Sequence, residues 1–264
     1  MLRASGIPVL EGMRTGLAAM RHLLDQLEGP PSPSTANASL GADPARRARA
    51  GQLLARCGET GAAGLALLAE YGIDAARAER VCSADEALAA AGRIGYPVVL
   101  KTDESAIAHK SDAGGVLVGV KDEPALLAGY ADLATRLGPA ALVCQMIPAG
   151  VELALGMVTD PDLGPLIVVG AGGVLVELLA DRAVTLPELA AEQPAALLSG
   201  LKVSKLLAGV RGAAPADLGA IAKAIAGVAE LASELGDHIQ ALDINPLICS
   251  PTGATAVDAL IIPR

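Results

Sequence analysis

Two lysines, a histidine and a glycine pair lie close together in the first half of the chain. Lys101 ends a strand-like apolar run, His109 and Lys110 follow, and Gly114 and Gly115 come directly after them. Glycines let main-chain N–H groups approach an anion, lysines supply positive charge, and a histidine can accept a phosphoryl group. The residue types therefore indicate phosphate handling, although the spacing fits neither a Walker A loop nor a dinucleotide-binding fingerprint.

An ordinary β-hairpin explains the same stretch without any ligand. A strand ending at Lys101, a polar turn and a second strand over residues 116–120 would use the glycine pair only to turn the chain. His109 would then be a surface loop histidine. The local pattern leaves both interpretations open.

A second group of polar residues lies near the end of the chain. Asp243 and Asn245 occupy alternate positions of a predicted strand and so share a face, and Asp258 is expected on the next strand. Carboxylate and amide oxygens are suitable ligands for Mg²⁺, which is often completed by substrate phosphates. The alternative is that Asp243 and Asn245 are solvated residues, or turn formers before Pro246.

Two glutamates occupy apolar surroundings. Glu152 opens a strand soon after Gln145, Met146 and Ile147, and Glu177 lies in an otherwise apolar run that follows a glycine turn. A carboxylate in such a place needs a partner. A salt bridge or an exposed edge is the ordinary explanation, and contact with ribose, a metal or a lysine is the functional one, which we favour for Glu177.

Composition excludes several classes of function. The chain has 264 residues, 52% of them hydrophobic but only 1% aromatic, and a formal net charge of −9. Scattered basic residues on an acidic chain argue against nucleic-acid binding, and aromatic stacking platforms are missing. An anionic nucleotide can still bind where a few lysines and a divalent cation set the local field.

The cysteines and the apolar segments predict a cytoplasmic protein. Cys57, Cys82, Cys144 and Cys249 are widely separated and have no paired metal spacing, and no secretion signal is recognised. The most apolar stretch, residues 164–180, is broken by proline, glycines and a glutamate, so no membrane span is expected.

Helix and strand patterns alternate along the chain, which predicts an α/β fold. Residues 1–29 hold a strand and a helix over 14–27, and residues 30–57 are expected to be a flexible linker. Residues 58–264 form the main body. Its predicted elements include a buried strand over 174–178, a long helix over 214–235, and an antiparallel pair of strands over 239–248 and 255–262.

Several short motifs, taken as an ordered set, resemble the ATP-grasp part of the NDP-forming acyl-CoA synthetases, a family related to succinyl-CoA synthetase. They cover roughly residues 58–264 and are specific as a set. The motifs are Gly95-Tyr96-Pro97-Val98-Val99-Leu100-Lys101, His109-Lys110-Ser111-Asp112-Ala113-Gly114-Gly115-Val116, Asp160-Pro161-Asp162-Leu163-Gly164-Pro165, Gly170-Ala171-Gly172-Gly173, Arg211-Gly212 and Asp243-Ile244-Asn245-Pro246-Leu247.

The resemblance implies a two-lobed ATP-grasp fold with mixed and antiparallel sheets flanked by helices, the small lobe spanning about residues 80–145. It implies Mg²⁺ and ATP or ADP as cofactors. The nucleotide-binding residues would be Lys101, Lys110, Gly114, Gly115, Gln145, Met146, Ile147 and Glu152. The metal ligands would be Asp243, Asn245 and Asp258, and His109 would relay a phosphoryl group.

In that family a carboxylic acid, CoA and ATP give acyl-CoA, ADP and phosphate through a phosphohistidine. Complete enzymes also have CoA-binding and flavodoxin-like ligase domains, and residues 1–29 resemble only the end of the latter. The resemblance therefore implies a partner subunit that binds CoA and carries the primary phosphohistidine. The alternatives are a catalytically idle nucleotide-binding regulatory or scaffold subunit, and an ATP-grasp ligase that forms an acyl phosphate.

Overall fold

The computed structural model divides the chain into two compact units, residues 1–41 and residues 42–264. The described residues are 12–28, 43–58, 60–104, 107, 110, 113–173, 175–176, 180–210 and 212–264. Features singled out in the sequence that lie outside them include the strand predicted near the start of the chain, His109, Ser111, Asp112, Glu177 and Arg211.

The first unit contains helix α1, Met13–Glu28, close to the helix predicted over 14–27. Leu17, Met20 and Leu24 recur at helical spacing, so they share one side of α1, and each is about half exposed or more. Among the described residues, no helix is long and apolar enough to cross a membrane.

The second unit begins with helix α2, Pro44–Arg56, within the segment predicted to be a flexible linker. The Asp43 carboxylate caps the first turn by accepting the Ala45 N–H at 2.9 Å. Arg46 forms ion pairs with Glu230, at 2.8 Å, and with Glu234. The linker prediction is therefore wrong over residues 44–56, because a local cap starts the helix and long-range ion pairs hold it.

The rest of the second unit alternates helices and antiparallel strands. Its helices are α3 (Gly61–Glu70), α4 (Ala84–Ile94), α5 (Glu123–Leu137), α6 (Gln193–Ser199), α7 (Ser204–Leu207) and α8 (Leu218–Leu235). Its strands are β1 (Ala78–Val81), β2 (Val98–Thr102), β3 (Val116–Val120), β4 (Ala141–Gln145), β5 (Val151–Asp160), β6 (Gly164–Ala171), β7 (Arg182–Thr185), β8 (Ile239–Ser250), β9 (Gly253–Ala256) and β10 (Leu260–Pro263).

The small lobe, residues 78–145, is built on an antiparallel sheet with the strand order β1-β4-β2-β3. Helices α4 and α5 cover one face of this sheet and share its hydrophobic core. The Ser83 hydroxyl caps α4 by accepting the Glu86 N–H at 3.2 Å. Apolar side chains at i, i+3, i+4 and i+7 then turn one side of α4 to the sheet, namely Ala87, Ala90, Ala91 and Ile94.

The large lobe, which comprises the other described residues of the second unit, contains the sheet β10-β8-β5-β6-β7, with β9 also pairing with β8. Helix α8 packs on one face and contributes Ile221, Ile225 and Val228 to a second core. The β5–β6 turn contains the Asp160 motif, whose carboxylate accepts the N–H groups of Asp162 and Leu163 at 2.8 and 3.0 Å. That motif residue thus has a structural role.

The structure confirms the predicted fold class of mixed helices and antiparallel sheets, but two further elements differ from the sequence prediction. Leu175 and Val176, expected in a strand over 174–178, are helical, with N–H groups donating to Gly172 and Gly173 carbonyls. The helix predicted over 214–235 begins only at Leu218. Pro215 disfavours a helical residue before it, and Asp217 caps the helix at Ala220 N.

Candidate functional site

Lys101 connects the small-lobe sheet to the large lobe. Leu100 packs into the small-lobe core, so strand alternation turns Lys101 to the opposite face of the sheet. The Lys101 Nζ donates a hydrogen bond to the Val257 carbonyl at 2.7 Å and lies 3.7 Å from Asp258 Oδ2. Because only 8% of Lys101 is exposed, its charge acts in a partly desolvated place.

Lys110 approaches the same carboxylate from the β2–β3 connection. Its Nζ lies 3.8 Å from Asp258 Oδ1, so the two lysines flank one aspartate. Two ammonium groups on one carboxylate leave a net positive charge, which suits a phosphate. The sequence placed Asp258 on a strand, and this is corrected: Asp258 lies between β9 and β10.

Asp243 and Asn245 lie on β8, the strand that pairs with β10 and β5. Asp243 is opposite Leu260 and Gly156 in the strand registers. Burial, and then the neighbouring Asp258 charge, raise the pKa of the Asp243 carboxyl above its usual range. The Asn245 Oδ1 accepts the Gly173 N–H at 3.1 Å.

The oxygen atoms of Asp243, Asn245 and Asp258 fit Mg²⁺ by chemistry. Asp243 and Asp258 repel each other, and a divalent cation between them would relieve this repulsion. Among the described residues, no three His, Cys, Asp or Glu side chains form a cluster suited to a metal. Two carboxylates and an amide are enough for Mg²⁺ when phosphates and water supply the other ligands.

Glu152 and a second glycine pair lie beside Asn245. The Gly172 N–H donates to the Glu152 carbonyl at 2.9 Å, and a Cβ at Gly173 would overlap the Glu152 carboxylate. Gly173 also has φ +55°. Only glycine combines this conformation with this close approach, so the pair brings Glu152 and Asn245 together.

Gly114 and Gly115 close the β2–β3 connection tightly. The Gly115 carbonyl accepts the Thr102 N–H, and the Gly115 N–H donates to the Lys110 carbonyl, both at 2.8 Å. A Cβ at Gly115 would lie 2.6 Å from Thr102 Cγ2. Lys101 is also paired with Val116 in the antiparallel register, so the predicted hairpin and a lysine-bearing loop coexist.

Gln145, Met146 and Ile147 lie where the chain leaves the small lobe for the large one. The Gln145 N–H donates to the Arg77 carbonyl at 2.8 Å, which fixes the end of β4. Met146 and Ile147 follow in the connection to β5 and are half-buried. This segment therefore borders both lobes.

Asp103 is a buried residue of this region that the sequence reasoning did not select. Its carboxylate accepts the Gly61 N–H at 3.0 Å, at the N-terminus of α3, and the Arg80 Nε–H at 3.2 Å. Only 5% of Asp103 is exposed. A carboxylate directly after a buried strand was the available signal, since such a group requires partners.

Comparison with known proteins gives a family for residues 58–262, which match the ATP-grasp domain family. The beta subunit of acetate–CoA ligase [ADP-forming] I from Pyrococcus furiosus is 35% identical over 204 residues, covering 74% of this chain and 88% of that subunit. Acetate–CoA ligase [ADP-forming] I from Archaeoglobus fulgidus is 36% identical over 205 residues, covering 75% of this chain but only 30% of that protein.

A solved structure has the same fold. The dinucleotide-forming acetyl-coenzyme A synthetase 1 of Ca. Korarchaeum cryptofilum, in complex with coenzyme A and Mg-AMPPCP, has a TM-score of 0.73 and 32% identity. The match covers 81% of this chain and 100% of that chain, and in that structure the phosphohistidine segment points towards the nucleotide-binding site. The chain therefore belongs to the ATP-grasp family, among the ATP-grasp parts of the ADP-forming acyl-CoA ligases.

Proposed function

We propose that this chain binds Mg-ATP and Mg-ADP for an ADP-forming acyl-CoA synthetase. The observation that carries the proposal is Asp258 flanked by Lys101 and Lys110, with a second carboxylate, Asp243, whose pKa is raised by burial and by the Asp258 charge. Two lysines beside a pair of carboxylates suit a polyphosphate that arrives with a divalent cation.

Each candidate residue has a definite task in this proposal. Asp243, Asn245 and Asp258 would hold Mg²⁺, and Lys101 and Lys110 would contact the phosphates. Gly114 and Gly115 would cover the phosphates, and the segment from Gln145 to Ile147 would border adenine. Glu152 lies beside Asn245 through the glycine contacts, and it would bind on the ribose side.

The proposed reaction is carboxylic acid plus CoA plus ATP, giving acyl-CoA, ADP and phosphate. An unprotonated imidazole nitrogen of His109 would form a bond to the γ-phosphorus while the bond from that phosphorus to the ADP oxygen breaks. Bound Mg²⁺ would neutralise developing negative charge. Lys101 and Lys110 would hold the phosphates in line for this transfer.

A partner would complete the catalyst. One relative is a beta subunit and another carries the matching region as 30% of a longer chain, which supports an assembly with further domains. We propose that the partner binds CoA and carries the primary phosphohistidine, so that the two chains form a hetero-oligomer.

The thiols support a cytoplasmic location. Cys57, Cys82, Cys144 and Cys249 are all free, and burial raises the pKa of Cys144 to about 11 and that of Cys249 to about 12. These buried groups would stay protonated at neutral pH. A reducing compartment keeps such thiols free.

Labelling with ATP carrying a radioactive γ-phosphate tests the phosphoryl relay. We expect the wild-type chain to retain acid-labile label and a His109→Ala variant to retain none, while both bind Mg-ADP equally. Label in the His109→Ala variant would refute the assigned relay. Equal nucleotide binding with no label on either protein, even with partner present, would instead favour an idle regulatory or scaffold subunit.

A further inference from the structure

The Arg136 side chain joins the end of α5 to the β2–β3 connection. Arg136 lies in the last turn of α5, and its side chain is 40% exposed. Its Nη2 donates to the Gly114 carbonyl at 3.1 Å, and its Nη1 donates to the Ala113 carbonyl at 3.4 Å. The guanidinium therefore binds two successive carbonyl groups beside the glycine pair.

Asp132 orients this guanidinium from one turn earlier on α5. Its Oδ2 accepts hydrogen bonds from Arg136 Nε at 2.9 Å and from Arg136 Nη2 at 2.8 Å. Nη2 has two hydrogens, so one can bind Asp132 while the other binds the Gly114 carbonyl. Because the helix holds one edge of the planar guanidinium, the remaining N–H groups are directed to the loop.

These contacts set the direction of the Gly114 N–H. The carbonyl and the N–H of a trans peptide point in opposite directions, so the Gly114 N–H points away from Arg136 when the Ala113 carbonyl faces it. The Gly115 N–H donates to the Lys110 carbonyl, whereas the Gly114 N–H meets no acceptor in the part of the chain that the structure describes. An oriented N–H without an acceptor can donate to an anion.

Helix α5 is a firm support for the loop. Leu126 and Leu133 of this helix are fully buried in the small-lobe core. The Gly115 N–H bonds to the Lys110 carbonyl, so holding the glycine pair also restrains the backbone at Lys110. Arg136 thus connects a packed helix to the loop that carries a candidate phosphate-binding lysine.

We propose that Arg136 is a positioning residue for nucleotide binding, holding the Gly114 N–H in the direction in which it donates to an oxygen of the β- or γ-phosphate. The inference rests on the proposed function, in which Gly114 and Gly115 cover the phosphates. Arg136 itself does not contact the nucleotide. Because the peptide is oriented before the nucleotide arrives, binding does not have to order it.

Calorimetry on the full chain tests the proposal, with Mg-ADP and AMP titrated separately into each variant. We expect Arg136→Ala to weaken Mg-ADP binding about fivefold to tenfold and to leave AMP binding nearly unchanged, because AMP lacks the distal phosphates. Arg136→Lys should be intermediate, since it keeps the charge but not the planar guanidinium. The matched control is Arg93→Ala, which removes an arginine from the last turn of α4 that pairs with Glu79. It should bind both ligands as wild type does.

A double-mutant cycle and a salt series separate positioning from charge. Asp132→Ala, which releases the guanidinium from α5, should weaken Mg-ADP binding about twofold to threefold in wild type and cause no further loss in Arg136→Ala. In about 1 M NaCl the Debye length is about 3 Å, so a long-range charge effect disappears. The affinity ratio between wild type and Arg136→Ala should persist there.

Three results would overturn the inference and leave the proposed function intact. They are an unchanged Mg-ADP affinity in Arg136→Ala, equal losses of Mg-ADP and AMP affinity, and an affinity ratio that falls to one at high salt. If circular dichroism shows that Arg136→Ala does not fold, Arg136→Lys is judged by the same three results. Wild-type protein that binds no Mg-ADP would contradict the proposed function itself.

Discussion

Asp258 couples the candidate metal site to the candidate phosphate site. Its two carboxylate oxygens face Lys101 and Lys110 at 3.7 and 3.8 Å. When a divalent cation binds this carboxylate, the lysines lose a counterion and become available to phosphate oxygens. Metal and nucleotide should therefore bind more tightly together than separately.

The Asp243 carboxyl predicts a pH dependence of stability in metal-free protein. Its folded-state pKa is raised by burial and by Asp258. Between the ordinary aspartate pKa of about 3.9 and the raised folded value, the folded state binds more protons than the unfolded state. The free energy of unfolding should consequently fall as pH rises through this window.

Urea denaturation over a pH series measures this effect. We expect the free energy of unfolding of Asp243→Asn to decrease less with rising pH than that of wild type. Saturating Mg²⁺ should also make this decrease smaller in wild type, because the cation stabilises the ionised carboxylate. An Asp237→Asn variant, altered at an exposed aspartate after α8, should behave as wild type. If the free energy of unfolding changes with pH equally in wild type and Asp243→Asn, the Asp243 carboxyl is not the source of the pH dependence.

The sequence predicted which residues belong to the candidate site, but it could not predict which of them are in contact. Lys101, Lys110 and Asp258 were selected from local sequence, but no local pattern could bring Asp258 to Lys101, since 156 positions separate Lys101 from Val257 in the connecting hydrogen bond. Asp103 was not selected because its partners, Gly61 and Arg80, meet it only in the folded chain.

Adding one methyl group to the β2–β3 connection should have a large effect on nucleotide affinity. In a Gly115→Ala variant the new Cβ would lie 2.6 Å from Thr102 Cγ2 and 3.0 Å from the Lys110 carbonyl, so the lysine-bearing loop must shift. We expect ADP affinity to fall about tenfold, with AMP affinity nearly unchanged, because only the distal phosphates need this loop.

Gly92→Ala is the matched control for that substitution. Gly92 lies within α4, and a Cβ there would meet no atom within 4 Å. Alanine should stabilise this helix by about 0.5–1 kcal/mol and leave nucleotide binding unchanged. Calorimetry and thermal melting check both variants, and normal ADP affinity in Gly115→Ala would exclude a role for the loop.

The Asp103 contacts tie β2 of the small lobe to α3, whose Leu65, Leu67 and Leu68 belong to the large-lobe core. In Asp103→Ala the Gly61 N–H and Arg80 lose their acceptor, so we expect a stability loss of about 1–3 kcal/mol. Asp162→Ala, at an exposed turn residue, should change stability far less. Equal urea midpoints for these two variants would show that the contact contributes nothing.

Local signals predicted most elements but not their ends. Helical spacing located α1, whereas α2 was missed. An alanine- and arginine-rich segment after a proline-rich stretch looks like a linker until Arg46 meets Glu230 and Glu234. The strand predicted over 174–178 is wrong at Leu175 and Val176 for a similar reason. Apolar runs of that length do not distinguish a buried strand from a helical turn.

Two hydrophobic cores make the second unit a pair of lobes joined through the site. One core belongs to the small-lobe sheet with α4 and α5, and the other to the large-lobe sheet with α8. The polar links between the lobes at this site include Lys101 to Val257 and Asp258, Lys110 to Asp258, and Asp103 to Gly61. A ligand that engages these lysines should therefore change how firmly the lobes are held together.

Calorimetric titration of Mg-ADP into the full chain tests whether the cleft between the lobes is a nucleotide site. We predict saturable binding that Asp258→Asn weakens about tenfold or more when Mg²⁺ is present, and much less when Mg²⁺ is chelated, because the freed lysines compensate. Asp237→Asn should bind as wild type does. Folded protein that takes up no Mg-ADP, or an Asp258→Asn variant with wild-type affinity, would contradict this assignment.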